Sequence, residues 1–208
     1  MPLISDKKRG RPPLTERSHQ DTRGLLIQCG LALLTEQGFS ACGIAAVLKA
    51  AQVPKGSFYH YFSSKEDFAL AVLDAYHAFF SFKLDKYLKD AMTPPLERLE
   101  NFMASAARGM ARHDFQRGCL AGNLDQEAAV LSDTLNDRVE AILQCWEKRV
   151  AECLEQAQQQ GQLAAHKQCQ ELAHCFWIGW EGAVQRARIQ RSQAPLESYG
   201  DFFISSLA

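Results

Sequence analysis

Apolar residues first recur with a helical period at Leu26, Cys29, Gly30, Leu33 and Leu34, the spacing of one buried helix face. Gly38, following Glu36-Gln37, is a natural stop for that helix. The pattern predicts a short second helix from about Gly43 to Ala51 and a third from about Pro54 to Phe62. Val47, Leu48, Ala51, Val53 and Phe58 then form the small core that sets the angle between them, with Phe62 also turned inward. Ser63-Ser64-Lys65-Glu66-Asp67 restarts the chain, because either serine has an acid three residues on, a capping box. A long helix follows to about Lys89, with Phe68, Tyr76, Phe79 and Phe80 at helical spacings. After Pro94-Pro95, further helices are predicted at about 95–112, 119–130, 132–160, 168–190 and 196–206. Period-two alternation is never sustained, so the expected fold is all-α with about nine helices.

Composition narrows the class. A hydrophobic share of 47% is ordinary for a globular protein. No apolar run approaches the roughly 18 residues needed to span a bilayer, and the polar, basic N-terminus lacks a signal-peptide core. The expectation is a cytoplasmic protein with no membrane partner. The seven cysteines are scattered and form no CxxC pair, which argues against a disulfide framework or a zinc module. His174-Cys175 with Cys169 matches no standard metal spacing. No Walker loop, GxGxxG, HExxH or GxSxG motif occurs, so neither a cofactor nor enzymatic activity is expected.

The net charge of -1 conceals an asymmetry. Residues 1–65 hold nine Lys/Arg against four acids, whereas the remainder holds fourteen against twenty. A basic head on an acidic body points to a polyanionic partner for the head. Three helices within about 45 residues, the last two short and tightly joined, are the layout of a helix-turn-helix that reads double-stranded DNA. On the third, Lys55 and Gly56 sit at an N-terminus suited to phosphate. Ser57, Tyr59, His60 and Tyr61 can donate hydrogen bonds to phosphates or base edges, and Lys65 is a further phosphate candidate. Residues 1–18 read as a disordered basic arm. Its Lys8-Arg9-Gly10-Arg11-Pro12-Pro13 looks like an AT-hook core, with Arg9 and Arg11 placed for a narrow minor groove.

The run Gly38-Phe39 and then Val47 to Glu66, above all Val53-Pro54-Lys55-Gly56-Ser57-Phe58-Tyr59-His60-Tyr61-Phe62, closely resembles the N-terminal domain of TetR-family regulators. The resemblance implies a helix-turn-helix domain at 19–65, a ligand-binding and dimerisation domain at 66–208, a homodimer, and DNA contacts by Lys55, Tyr59, His60 and Lys65. Two departures matter. The hydroxyl residues that often cap the second helix read here as Cys42-Gly43, leaving Ser40 as a partial substitute. The common turn glycine is replaced by Gln52, which must accept an unusual backbone angle or shift the turn.

In the C-terminal part, Leu172, Phe176, Gly179 and Ala183 share a helix face, and the small residues Gly179, Gly182 and Ala183 suit a close helix contact in a dimer or within the chain. A neighbouring stripe, Trp177, Glu181, Val184 and Arg188, offers an aromatic wall ending in a guanidinium, fit for a small anionic or polar effector or for packing and a surface ion pair. In Arg117-Gly118-Cys119-Leu120-Ala121-Gly122-Asn123-Leu124, a thiol near a helix start and beside an arginine can have a lowered pKa, or can pack as a small hydrophobe. Together with Trp177-Ile178-Gly179-Trp180-Glu181-Gly182-Ala183, this segment resembles a TetR subgroup whose repressors respond to acrylate and to electrophiles such as N-ethylmaleimide. That likeness implies a repressor released by a small reactive carboxylate or electrophile, with Cys119 and Arg188 in the sensing role; Trp177 and Glu181, from the neighbouring stripe, complete the candidate effector residues. A thiol sensor of oxidants or aldehydes through Cys119, and an architectural DNA binder without effector, are the alternatives.

Overall fold

The computed structural model describes residues 19–207, which fold as eight α-helices and two short 3-10 helices, with no strand among them. α1 (His19–Ala41), α2 (Ile44–Ala51) and a 3-10 helix (Lys55–His60) form the N-terminal cluster. α3 (Lys65–Leu88) leaves that cluster and continues into the C-terminal part, joined there by α4 (Pro95–Ala111), α5 (Leu120–Asp125), α6 (Asp133–Gln159), α7 (Cys169–Gln190) and α8 (Ala194–Ser206).

The start of α3 follows from its serines. Ser64 is the N-cap, its hydroxyl accepting from the Asp67 N–H at 3.0 Å, while the Asp67 carboxylate accepts from the Ser63 N–H at 2.8 Å. That reciprocal pair satisfies two otherwise orphaned donors. α1 does not run straight through. Gly38 breaks it at φ 80, ψ -180, a backbone region that a side chain resists. The predicted helix at 119–130 is shorter than expected: α5 ends at Asp125 and a single 3-10 turn, Ala128–Val130, follows.

One core runs the length of the described chain. Its N-terminal end is the triangle of Phe58, Phe62 and Phe68, with centroids 5.0–5.4 Å apart. The C-terminal end holds Phe80, Trp146 and Trp177, with the Trp146 ring centred 4.5 Å from that of Phe80 and 5.4 Å from that of Trp177. α3 contributes to both ends, and is therefore a rigid link between them. No described helix is long and apolar enough to cross a membrane.

Candidate functional site

The loop into α2 lacks a side-chain cap: Gly43 makes none, and Cys42 is buried. At the other end of α2, Gln52 takes the left-handed conformation (φ 54, ψ 40) and donates its N–H to the Leu48 and Lys49 carbonyls. A non-glycine residue there costs about 1–2 kcal/mol, which the turn geometry demands. Pro54 then opens the next segment. Only six residues long, it winds as a 3-10 helix, with Ser57 N–H donating to the Pro54 carbonyl at 2.9 Å.

Phe58 is fully buried and anchors this segment. The opposite side turns outward, leaving Lys55, Gly56, Tyr59 and His60 exposed and Ser57 and Tyr61 half-buried. Tyr59 is 66% exposed, a large aromatic with nothing of its own chain over most of its surface. Lys65 is half-buried. Its ammonium lies 4.3 Å above the Phe39 ring and 3.5 Å from the Ser40 carbonyl, so it ties α3 to the end of α1. Arg9 and Arg11 lie outside the described residues.

In the C-terminal part, a cleft of about 560 Å³ opens between α3, α4 and α7. Tyr76, Phe80, Trp180 and Val184 make its apolar wall, and Cys119 and Glu181 line it. Trp177 does not; it is packed in the core against Trp146 and Phe176. Arg188 does not line it either.

The glycines around Cys119 are explained by close approach. A side chain at Gly122 would strike the Glu181 carboxyl, and one at Gly118 would meet the Arg188 Cδ at 2.9 Å. Both Glu181 oxygens are buried without a well-formed hydrogen bond, close to the Cys119 thiol. Burial pushes this acid up to about 7. Burial first, and then the Glu181 charge, push the Cys119 thiol well above its ordinary range. Both effects disfavour the activated thiolate that the adjacent Arg117 suggests. Arg117 points away and pairs with Glu36 at 2.8 Å, while the short α5 offers the sulfur only the Gly122 N–H at 3.5 Å.

The segment from Gln116 to Glu127 fills the break in α1. Where a helix ends, its last carbonyls lose their partners. Here Asn123 Nδ2 donates to the Thr35 carbonyl at 2.9 Å and to that of Leu34 at 3.3 Å, and Gly118 N–H donates to Thr35 at 3.2 Å. Arg188 donates to the Glu36 carbonyl and to Asn123 Oδ1, both at 2.9 Å, and to the Gln116 carbonyl at 3.3 Å. Beyond the break, the Glu127 carboxylate accepts from the Phe39 and Ser40 N–H groups, each at 2.7 Å. A cation thus sits on a helix C-terminus and an anion on the start of the next turn, the favourable polarity at both.

Sequence reasoning missed Asn123, Glu127, Tyr76 and Lys83. Tyr76 and Lys83 share the i, i+7 stripe of α3 and were open to a periodicity argument; the other two reach α1 across 87 or more positions. The small-residue face of α7 also needs revision. Phe176 is buried in its own chain, and Tyr199 of α8 occupies the space above Gly179, its hydroxyl donating to the Cys175 and Phe176 carbonyls at 3.0 Å. The uncovered large apolar residues of these two helices are instead Ile178, 63% exposed, Ile189, 76% exposed, and Phe202, 66% exposed.

Residues 26–72 match the family described as bacterial regulatory proteins, tetR family, and residues 95–203 match the tetracyclin repressor-like C-terminal domain. The chain is 46% identical to the transcriptional regulator AcuR of Cereibacter sphaeroides over 95% of its own length and 90% of that protein's. It is 33% identical to the repressor DhaR of a Mycobacterium species, over 84% and 86%. Among solved structures, the regulatory protein TetR from Rhodobacter sphaeroides superposes with a TM-score of 0.88 at 44% identity, covering 90% of this chain and 99% of that one. The reduced form of Escherichia coli NemR superposes with a TM-score of 0.80 at 30% identity, over 88% and 95%.

Proposed function

The chain belongs to the TetR family of bacterial regulatory proteins, and from that premise we propose that it represses transcription from a palindromic operator and is released by a small reactive carboxylate, acrylate or a close relative. One observation carries the reading: the wall of the cleft that holds Cys119 is the same segment that satisfies the carbonyls and N–H groups at the α1 break. α1 packs on α2 and α3, so it carries the exposed Lys55–Tyr59–His60 face with it.

In the homodimer, paired through the exposed sides of α7 and α8, the two recognition segments lie one DNA turn apart, about 34–36 Å. A ligand in the cleft displaces the Gln116–Glu127 segment, strains the α1 break and alters that spacing. Its effect equals its preference for the altered state over the operator-bound one. Because Cys119 is held as a neutral thiol, non-covalent occupancy is favoured over a fast thiol switch.

The test is operator binding by fluorescence anisotropy on the chain's own upstream DNA, titrated with acrylate, methylglyoxal and N-ethylmaleimide, for wild type and Cys119→Ser. Release of both proteins by acrylate supports the non-covalent pocket. Loss of every response in Cys119→Ser supports a thiol sensor. Unchanged operator affinity under all three compounds leaves an effector-independent DNA binder.

A further inference from the structure

The cleft is cationic, and among the described residues one of its cations is half-buried without a counter-charge. Lys83, Lys86, Arg112 and Arg117 line it, and its one carboxylic acid, Glu181, is buried at the inner end. Arg117 is neutralised by Glu36. Lys86 and Arg112 are exposed to solvent. Lys83 differs from both: it is half-buried, and its one hydrogen bond is a long 3.5 Å contact to the Ser105 carbonyl. Among the described residues it has no ion-pair partner, and the charged groups facing it, Arg108 and Arg112, are of its own sign. Desolvation lowers its pKa, with Tyr87 acting in the opposite direction. A partly buried ammonium with three donors and one weak acceptor lacks an anion.

The position of Lys83 states what kind of anion. Tyr76, Phe80, Lys83 and Tyr87 follow one another along a single face of α3 and line the cleft in that order. Lys83 is seven residues past Tyr76, about 10 Å along the helix axis. Tyr76 is deeply buried beside Cys119, and the wall between is apolar, made by Phe80, Trp180 and Val184. On the α4 side, Gly109 leaves the ammonium uncovered, its nearest approach to an added Cβ being 3.7 Å.

We propose that Lys83 is the anion anchor of this cleft, holding the carboxylate of a short aliphatic acid whose hydrocarbon end lies along Phe80 and Trp180 toward Cys119. The inference rests on the effector reading above and replaces Arg188, whose guanidinium is spent on α1, as the group that recognises the acid. Arg112 at the rim strengthens the attraction without touching the apolar end.

Isothermal titration calorimetry on the full chain tests this directly. Acrylate, propionate and the uncharged amide acrylamide are titrated into wild type, Lys83→Met and Lys83→Arg, each first shown to be folded by thermal unfolding. Expected are saturable binding of both acids to wild type, at least tenfold weaker binding of both to Lys83→Met, substantial recovery in Lys83→Arg, and acrylamide at least tenfold weaker than acrylate on wild type. Equal acid affinity in wild type and Lys83→Met, acrylamide binding as tightly as acrylate, or no acid binding up to about 50 mM overturns it. A parallel operator titration separates the two readings. Acid binding that depends on Lys83 but leaves the operator bound overturns the regulatory reading and keeps the anchor; operator release by acrylate that is unchanged in Lys83→Met does the reverse.

Discussion

Arg188 Nη2 donates to the Glu36 carbonyl over 2.9 Å, although the two residues stand 152 positions apart. The bond joins the last turn of α7 to the last carbonyls before the Gly38 break, so the C-terminal part holds the N-terminal cluster by its backbone. Replacing Arg188 by Ala leaves that carbonyl and Asn123 Oδ1 short of a donor, at a cost of about 1–3 kcal/mol. The expected outcome is a lower unfolding temperature together with an effector response weakened at least tenfold, measured by operator anisotropy in parallel with thermal unfolding. An unchanged effector response would remove Arg188 from the coupling.

Glu127 acts on the other side of the break. Glu127→Gln keeps the shape but loses the charge that accepts from Phe39 and Ser40. A destabilisation of about 1 kcal/mol is expected for one charge-assisted cap, with faster amide hydrogen exchange confined to residues 39–43. Exchange that rises elsewhere but not there contradicts the capping role.

The proposed function puts the DNA reading on Tyr59 and Lys55. Because both are exposed, Tyr59→Ala and Lys55→Ala should alter stability by no more than about 0.5 kcal/mol. Each substitution should weaken operator binding by about 1–3 kcal/mol, and Lys55→Ala should also flatten the salt dependence of binding. Wild-type affinity in both variants defeats the assignment of this face.

Glu181 makes stability depend on pH with a definite sign. Its folded pKa, about 7, lies above the ordinary 4.5, so the neutral acid is the form that folding favours. The contribution is complete below pH 4.5 and is lost as pH rises through 7. The change amounts to about 3 kcal/mol at most. Wild type should therefore lose stability relative to Glu181→Gln between pH 5 and 8 in denaturant titrations; parallel curves for the two proteins would show that the acid is not held neutral.

Thiol chemistry should begin away from the cleft. Cys145 on α6 is half-buried and accepts from Arg149, whereas Cys119 is buried with its thiol pushed upward. With limiting N-ethylmaleimide at neutral pH, peptide mapping should find Cys145 labelled first and Cys119 at least tenfold more slowly. Preferential labelling of Cys119 would restore the thiol-sensor reading.

Much of this was legible in the chain itself, because helical periodicity, capping pairs and turn residues are local. The Ser64–Asp67 cap, the left-handed Gln52 and the inward Phe58 all follow from neighbours a few positions away. The outward set Lys55, Tyr59 and His60 is then what remains once Phe58 is buried. The cleft was not legible in the same way. Cys119 beside Arg117 reads locally as an activated thiol, yet packing buries it, and Glu181, arriving from α7, pushes in the same direction. Arg188 reads as a free guanidinium until the broken end of α1 supplies carbonyls for it. Side-chain spacing along one helix determines which residues share a face; which charges and orphaned backbone groups meet that face depends on how distant helices pack, and only the tertiary structure decides that.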